Sequence, residues 1–208
     1  MDPAPSRLLG LALAALALAG CGDAAGLVGG GPIKGDVLTI YSLVPAPESG
    51  ASGVFLDGEK LALADAHGRA GGFTVNFAAL DAGGSRTRAA EASRRAIDDP
   101  QTIAVVADAR PAIVPLLNEA GLLQVAPHGD LGLAHDPRLN PSGRPTLGPV
   151  DAGARVPADL AARFAATFHR PAGRAAVTGY RAMRGVLDAI ARAGHRGNDR
   201  GAVIDAYL

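Results

Sequence analysis

Four short apolar runs constrain this chain more than any other feature: DVLTIYSL (36–43), FTVNFAAL (73–80), TIAVVAD (102–108) and LLQVA (122–126). Each has the length and β-branched content of a strand, and each is bounded by turn-forming residues. Between them lie segments with helical spacing. VFLDGEKLALADA (54–66) sets Phe55, Ala62 and Leu63 on one side, SRTRAAEASRRAIDD is a polar, Ala-rich helix, and RPAIVPLLNEAG carries a proline near its start. Strands apolar on both faces and separated by helices belong to a parallel sheet covered on both sides. The order β-α-β-α-β-α-β therefore predicts an α/β fold, a three-layer doubly wound parallel sheet.

From residue 127 to 156 the periodicity stops, and proline and glycine dominate, which reads as a loop or linker. Helices resume with PADLAARFAATFHR and with residues 175–194. In the latter, Tyr180, Met183, Leu187 and Ile190 form an apolar stripe opposite Arg181, Arg184, Asp188 and Arg192. Asp188 and Arg192 are spaced for an i,i+4 ion pair.

The only cysteine, Cys21, closes the run LLGLALAALALAG, which follows Arg7. That run has the length of a signal-peptide core and is too short to span a bilayer. Leu18, Ala19, Gly20 and Cys21 resemble a bacterial lipobox, in which the cysteine thiol takes a diacylglycerol and becomes the first residue after cleavage. The resemblance implies a signal peptide over residues 1–21 and a lipoprotein held on the extracytoplasmic face of the cell membrane. The Gly-rich residues 22–35 would be a flexible tether. About 175 residues remain, enough for one domain with a real core.

Acidic and basic side chains balance at 20 each, so net charge draws the chain to no nucleic acid. Tryptophan is absent and aromatics make up 4% of the chain, which leaves little surface for stacking a sugar or base. His67, His128, His135, His169 and His195 lack metal-ligand spacing, and no metal or other cofactor is expected. The Gly-rich segments lack the Lys-Ser/Thr ending of a phosphate loop, and no G-x-S-x-G elbow is present. These absences argue against an enzyme.

Three segments together resemble the type I periplasmic binding proteins of the branched-chain amino-acid class, the leucine-binding-protein-like substrate-binding subunits of ABC transporters. LTIYSLVPAPESGASGVFLDGEKLALADA is similar to that family's first strand, ligand loop and first helix, and IAVVADARPAIVPLLNEAGLLQVAP to its next strand-helix-strand. ARFAATFHRPAGRAAVTGYRAMRGVLDAIARAG is similar to a late segment in which Gly-Tyr opens an amphipathic helix. The resemblance implies amino-acid transport, with a small polar solute and an ABC permease as partners. It also implies two lobes, and here residues 127–156 occupy the place of the second. The expected organisation is a first part of one lobe over 36–126, a linker over 127–156, and a helical segment over 157–208 that completes the lobe.

Ligands of open α/β sheets bind beyond the carboxyl ends of the strands, here in loops 44–53, 81–85, 107–111 and 127–131. Candidate ligand residues are Ser49, Ser52, Asp108, Arg110, His128 and Asp130, with Arg110 on a carboxylate and an aspartate on an ammonium. The same four charged side chains read equally as solvated loop charges, and the serines as ordinary turn residues. If they are, the chain is instead a ligand-free interaction module of the cell envelope derived from such a binding protein.

Overall fold

The computed structural model of the chain describes residues 31–48, 50–150 and 155–208. Its strands are β1 (Val37–Val44), β2 (Arg69–Ala70), β3 (Phe73–Asp81), β4 (Thr102–Ala107), β5 (Leu123–Ala126) and β6 (Leu147–Pro149). Its helices are α1 (Gly50–Asp65), α2 (Arg86–Asp98), α3 (Val114–Glu119), α4 (Ala158–Phe168), α5 (Arg174–Ala193) and α6 (Arg200–Tyr207). The strands form one sheet in the order β2-β3-β1-β4-β5-β6, parallel throughout except for the two-residue β2. The α/β three-layer arrangement expected from the apolar runs is the one observed.

Strand residues serve the two covered faces in alternation, interrupted at Ile103 and Ala104, where the pairing with β1 shifts register. Leu38, Ile40, Ile103, Ala104 and Val106 pack with Phe55 and Leu56 of α1, with Met183, Val186 and Ile190 of α5 and with Val203 of α6. Leu43, Val105 and Ala107 pack on the other face against Ala89, Ala92 and Ala96 of α2 and against Leu117. Ser85 caps α2 by accepting from the Arg88 N–H at 3.1 Å, the local reason the helix starts there.

α4 adds a third packing surface, burying Leu160 and Phe164 against Leu61, Ala176 and Val177. Its flanks carry ion pairs from Arg163 to Asp65 and from Arg170 to Asp57. Tyr180, expected within the apolar stripe of α5, is half-buried and donates its hydroxyl to Asp65 at 2.8 Å.

Three details differ from the sequence reading. Residues 127–156 are not structureless, because they contain a 3-10 turn (Leu131–His135) and β6. β6 is too short to show a periodicity, yet it meets the open edge of β5, with Gln124 N–H donating to the Thr146 carbonyl at 2.8 Å. Buried Asn140 organises the approach to β6, its Nδ2 donating to the carbonyls of Ala134 (2.8 Å) and Arg144 (3.0 Å).

Asp188 pairs with Arg184 at 3.0 Å rather than with Arg192. Arg192 turns to the Ala206 carbonyl at the end of α6, a partner that sequence spacing on α5 cannot reveal. Ile33, late in the segment read as a tether, is buried, and its N–H donates to the Asn198 carbonyl at 2.8 Å. The signal-peptide and lipobox readings, with Cys21, lie outside the described residues. Among the described residues no helix is long and apolar enough to cross a membrane.

Candidate functional site

β1 is the point at which the chain's winding reverses. The connection after β1 leads through α1 to β3 on one side, and the connection after β3 returns through α2 to β4 on the other. The two crossovers cover opposite faces and so leave a crevice at the carboxyl ends of β1 and β4, where open α/β sheets bind ligands. A cavity of about 360 Å³ lies there. Its floor is Leu43, Val44, Val106 and Ala107 from the strand ends, and its walls come from Ser52 and Phe55 of α1 and from Arg174, Ala175 and Thr178 of α5. Asp108, Pro127 and His128 close the rim above β4 and β5. An apolar body with a few polar groups is the usual character of a small-molecule site.

The rim is built by a backbone zipper between the loops after β4 and β5. The Ala109 N–H donates to the His128 carbonyl at 2.8 Å, and Ala109 pairs with Gly129 as an isolated parallel bridge. Gly129 sits at φ +111°, and a Cβ there would lie 2.3 Å from the Ala109 carbonyl oxygen, so both its conformation and the approach require glycine. Beneath the zipper, buried Gln124 donates from Nε2 to the carbonyls of Ala107 and Asp108, each at 3.1 Å.

This arrangement brings Asp108 and His128 together. Asp108 Oδ2 accepts from Arg110 Nη2 at 3.0 Å, and its Oδ1 lies 3.3 Å from His128 Nδ1. Arg110 thus serves Asp108 rather than lining the cavity. Asp130 stands apart from the lining and caps the 3-10 turn, accepting from the Gly132 N–H at 2.8 Å. Ser52 lines the cavity from the first turn of α1, while Ser49 lies outside the described residues.

The opposite rim is anchored by Asp81. Its Oδ1 accepts from the N–H groups of Gly83 (2.9 Å) and Ala46 (3.2 Å), and its Oδ2 from Arg88 (3.0 Å). The Gly83 and Ala46 amides hold its carboxyl below the usual carboxylate range, with Arg88 adding to them. The loop that leaves β1 through Pro45 and Ala46 is thereby tied to the end of β3.

Arg174 and Thr178 were not legible as site residues. They reach the crevice only because α5, more than 120 residues after β1, packs along α1 with its amino end at the strand termini. The Gly173 N-cap makes no side-chain bond, and the first helical bond runs from Val177 to the Gly173 carbonyl at 3.3 Å. The N–H groups of Arg174, Ala175 and Ala176 thus precede the first helical bond, beside the cavity. The Thr178 hydroxyl donates to the Arg174 carbonyl at 3.0 Å and keeps its lone pairs free to accept.

Glu59 lies deeper along the same stripe of α1 as Ser52 and Phe55. It is fully buried, and among the described residues neither carboxyl oxygen has a hydrogen-bond partner. Burial pushes its carboxyl well above the usual range, against the smaller opposing influences of Ser42 and Lys60. No group of three or more His, Cys, Asp or Glu able to hold a metal ion occurs among the described residues.

No family model matches the sequence. No curated protein matches it either. Solved structures do match. An ABC transporter substrate-binding protein from Sphaerobacter thermophilus aligns with a TM-score of 0.65 at 12% identity, over 82% of this chain and 85% of that one. A solute-binding protein of an ABC transporter from R. palustris, in complex with benzoate, aligns at 0.62 and 12% identity, over 82% and 85%. The branched-chain amino acid transporter substrate binding protein of Streptococcus pneumoniae, in complex with isoleucine, aligns at 0.60 and 11%, over 82% and 87%. At such identities the likeness is one of architecture, and with the sheet order and the crevice it leads to a single statement: this chain has the fold of the substrate-binding proteins of ABC transporters.

Proposed function

We propose that the chain is an extracytoplasmic solute-binding protein that takes a small polar solute in the crevice between β1 and β4 and serves an ABC permease. The observation that carries this reading is the cavity at the winding reversal, apolar in its floor and edged by Ser52, Asp108, His128, Arg174 and Thr178. The structural neighbours, whose bound ligands include benzoate and isoleucine, support a solute of that size. In this reading the role is binding rather than catalysis.

In this reading residues 36–126 and 157–208 make one lobe, and residues 127–156 stand where a second lobe would be. A one-lobed site leaves a bound solute wet on one side, so affinity is modest, with Kd in roughly the micromolar to millimolar range. Cys21 carries the lipid that holds the protein at the membrane surface. Acyl chains contribute about 0.8 kcal/mol per buried CH₂, and two or three together make the attachment durable.

Titration calorimetry and thermal shift with amino acids and small carboxylates test the binding role, because a ligand that binds only the folded form raises its Tm. A panel that produces neither heat nor a shift overturns it. Mass spectrometry of the mature protein, with C21A as control, tests the anchor: the expected result is an acylated Cys21 in the membrane fraction and release of the variant.

One observation favours the ligand-free interaction module as the second reading. Asp108, Arg110 and His128 already satisfy one another, as surface loop charges do.

A further inference from the structure

We propose that the cavity selects a monocarboxylate with a compact apolar body and no α-ammonium group. This rests on the solute-binding reading above and names the class of solute. Among the described residues, the ionisable side chains that line the cavity are Asp108, His128 and Arg174. Asp108 is the sole anion among them, and each of its oxygens already has a partner, Arg110 at 3.0 Å and His128 at 3.3 Å.

Arg174 is the reverse case. Its guanidinium makes no ion pair or side-chain hydrogen bond within the described chain, yet it stands on the lining. A carboxylate therefore finds an uncommitted, fork-shaped donor, and Ser52 on the lining has a hydroxyl able to donate as well. An ammonium finds a second cation on the lining, Arg174, and only one carboxylate, Asp108, whose charge is already shared with Arg110 and His128. Phe55, Leu43, Val44 and Val106 supply the apolar surface for the rest of the solute. At about 360 Å³ the space suits a body the size of a branched aliphatic chain or a single ring.

Calorimetry on the full chain with 4-methylpentanoate and L-leucine, which differ only by the α-amino group, tests this. The corresponding amine, 3-methylbutylamine, and benzoate complete the set. The expected result is binding of 4-methylpentanoate and benzoate at least ten-fold tighter than of L-leucine, with none of the amine. R174Q is expected to lose at least ten-fold in carboxylate affinity and R174K to recover part of it. Because Arg174 is exposed, both variants are expected to melt with the parent protein.

Leucine binding as tightly as 4-methylpentanoate overturns the selectivity and leaves the solute-binding role standing. Carboxylate binding indifferent to R174Q overturns the assignment of Arg174. Failure of every amino acid and carboxylate to bind removes the solute-binding role itself.

Discussion

Gly179 of α5 meets the backbone of Phe55 in α1 so closely that a Cβ on the glycine would stand 2.0 Å from the Phe55 carbonyl oxygen. Gly58 reciprocates from α1, where a Cβ would stand 2.1 Å from the Ala176 carbonyl oxygen. The obstructing atoms are backbone, so the helices must separate to admit a methyl group. G58A and G179A are each expected to destabilise the fold by about 1–3 kcal/mol, as overpacking does, lowering Tm by several degrees. Thermal denaturation followed by circular dichroism checks this. Because Phe55 and Thr178 flank the crossing and line the cavity, the same variants are expected to weaken any ligand.

Glu59 should make stability fall as pH rises. Its folded-state carboxyl titrates well above its ordinary value of 4.5. Below that value both states hold the proton and the group costs nothing through ionisation. Above it the unfolded chain releases the proton while the folded chain retains it, so stability declines by up to about 1.4 kcal/mol per pH unit until the folded carboxyl ionises. E59Q removes the titration. Melting curves between pH 4 and 8 should show the wild type losing ground to E59Q as pH increases, and parallel curves would refute this account of Glu59.

The lowered carboxyl of Asp81 has the opposite sign. Its contribution is present above the ordinary aspartate value of 3.8 and is lost as pH falls through the lower folded value. The group is exposed, so the effect belongs to the loop rather than to global stability. D81A should accelerate hydrogen exchange at the amides of Ala46 and Gly83 and leave the core of β1 and β4 protected.

For α4, burial outweighs charge. Phe164 is completely buried among Leu61, Leu160, Ala176 and Val177, whereas the Arg163 and Asp65 side chains that tie its flank are 42% and 27% exposed. F164A is expected to cost about 3–5 kcal/mol, and R163A less than about 1 kcal/mol. Chemical denaturation of the two variants measures the contrast, which fails if R163A proves the more damaging.

The sheet was legible because β4 reads TIAVVA and is buried at every position, a pattern that only a strand covered on both faces produces. β6 was not, since LGP carries no repeat and becomes a strand only by meeting the exposed edge of β5. At the site, Asp108 and His128 could be placed near the strand ends from the loops that hold them. Their mutual engagement depends on the Ala109–Gly129 bridge, which joins two loops separated by α3. Arg174 lay beyond sequence reasoning altogether. Its chemistry is unremarkable on paper, and its position depends on a helix crossing permitted by Gly58 and Gly179.

Pro149 has a consequence for how copies of this protein meet one another. It ends the outermost strand without an N–H to offer, its carbonyl already accepts the Tyr207 hydroxyl at 2.7 Å, and the Tyr207 ring lies over Gly148. That border of the sheet is sealed against the strand-by-strand growth that turns exposed edges into fibres. Copies of this protein crowded together can therefore lie side by side along that border without being drawn into continuous β-structure.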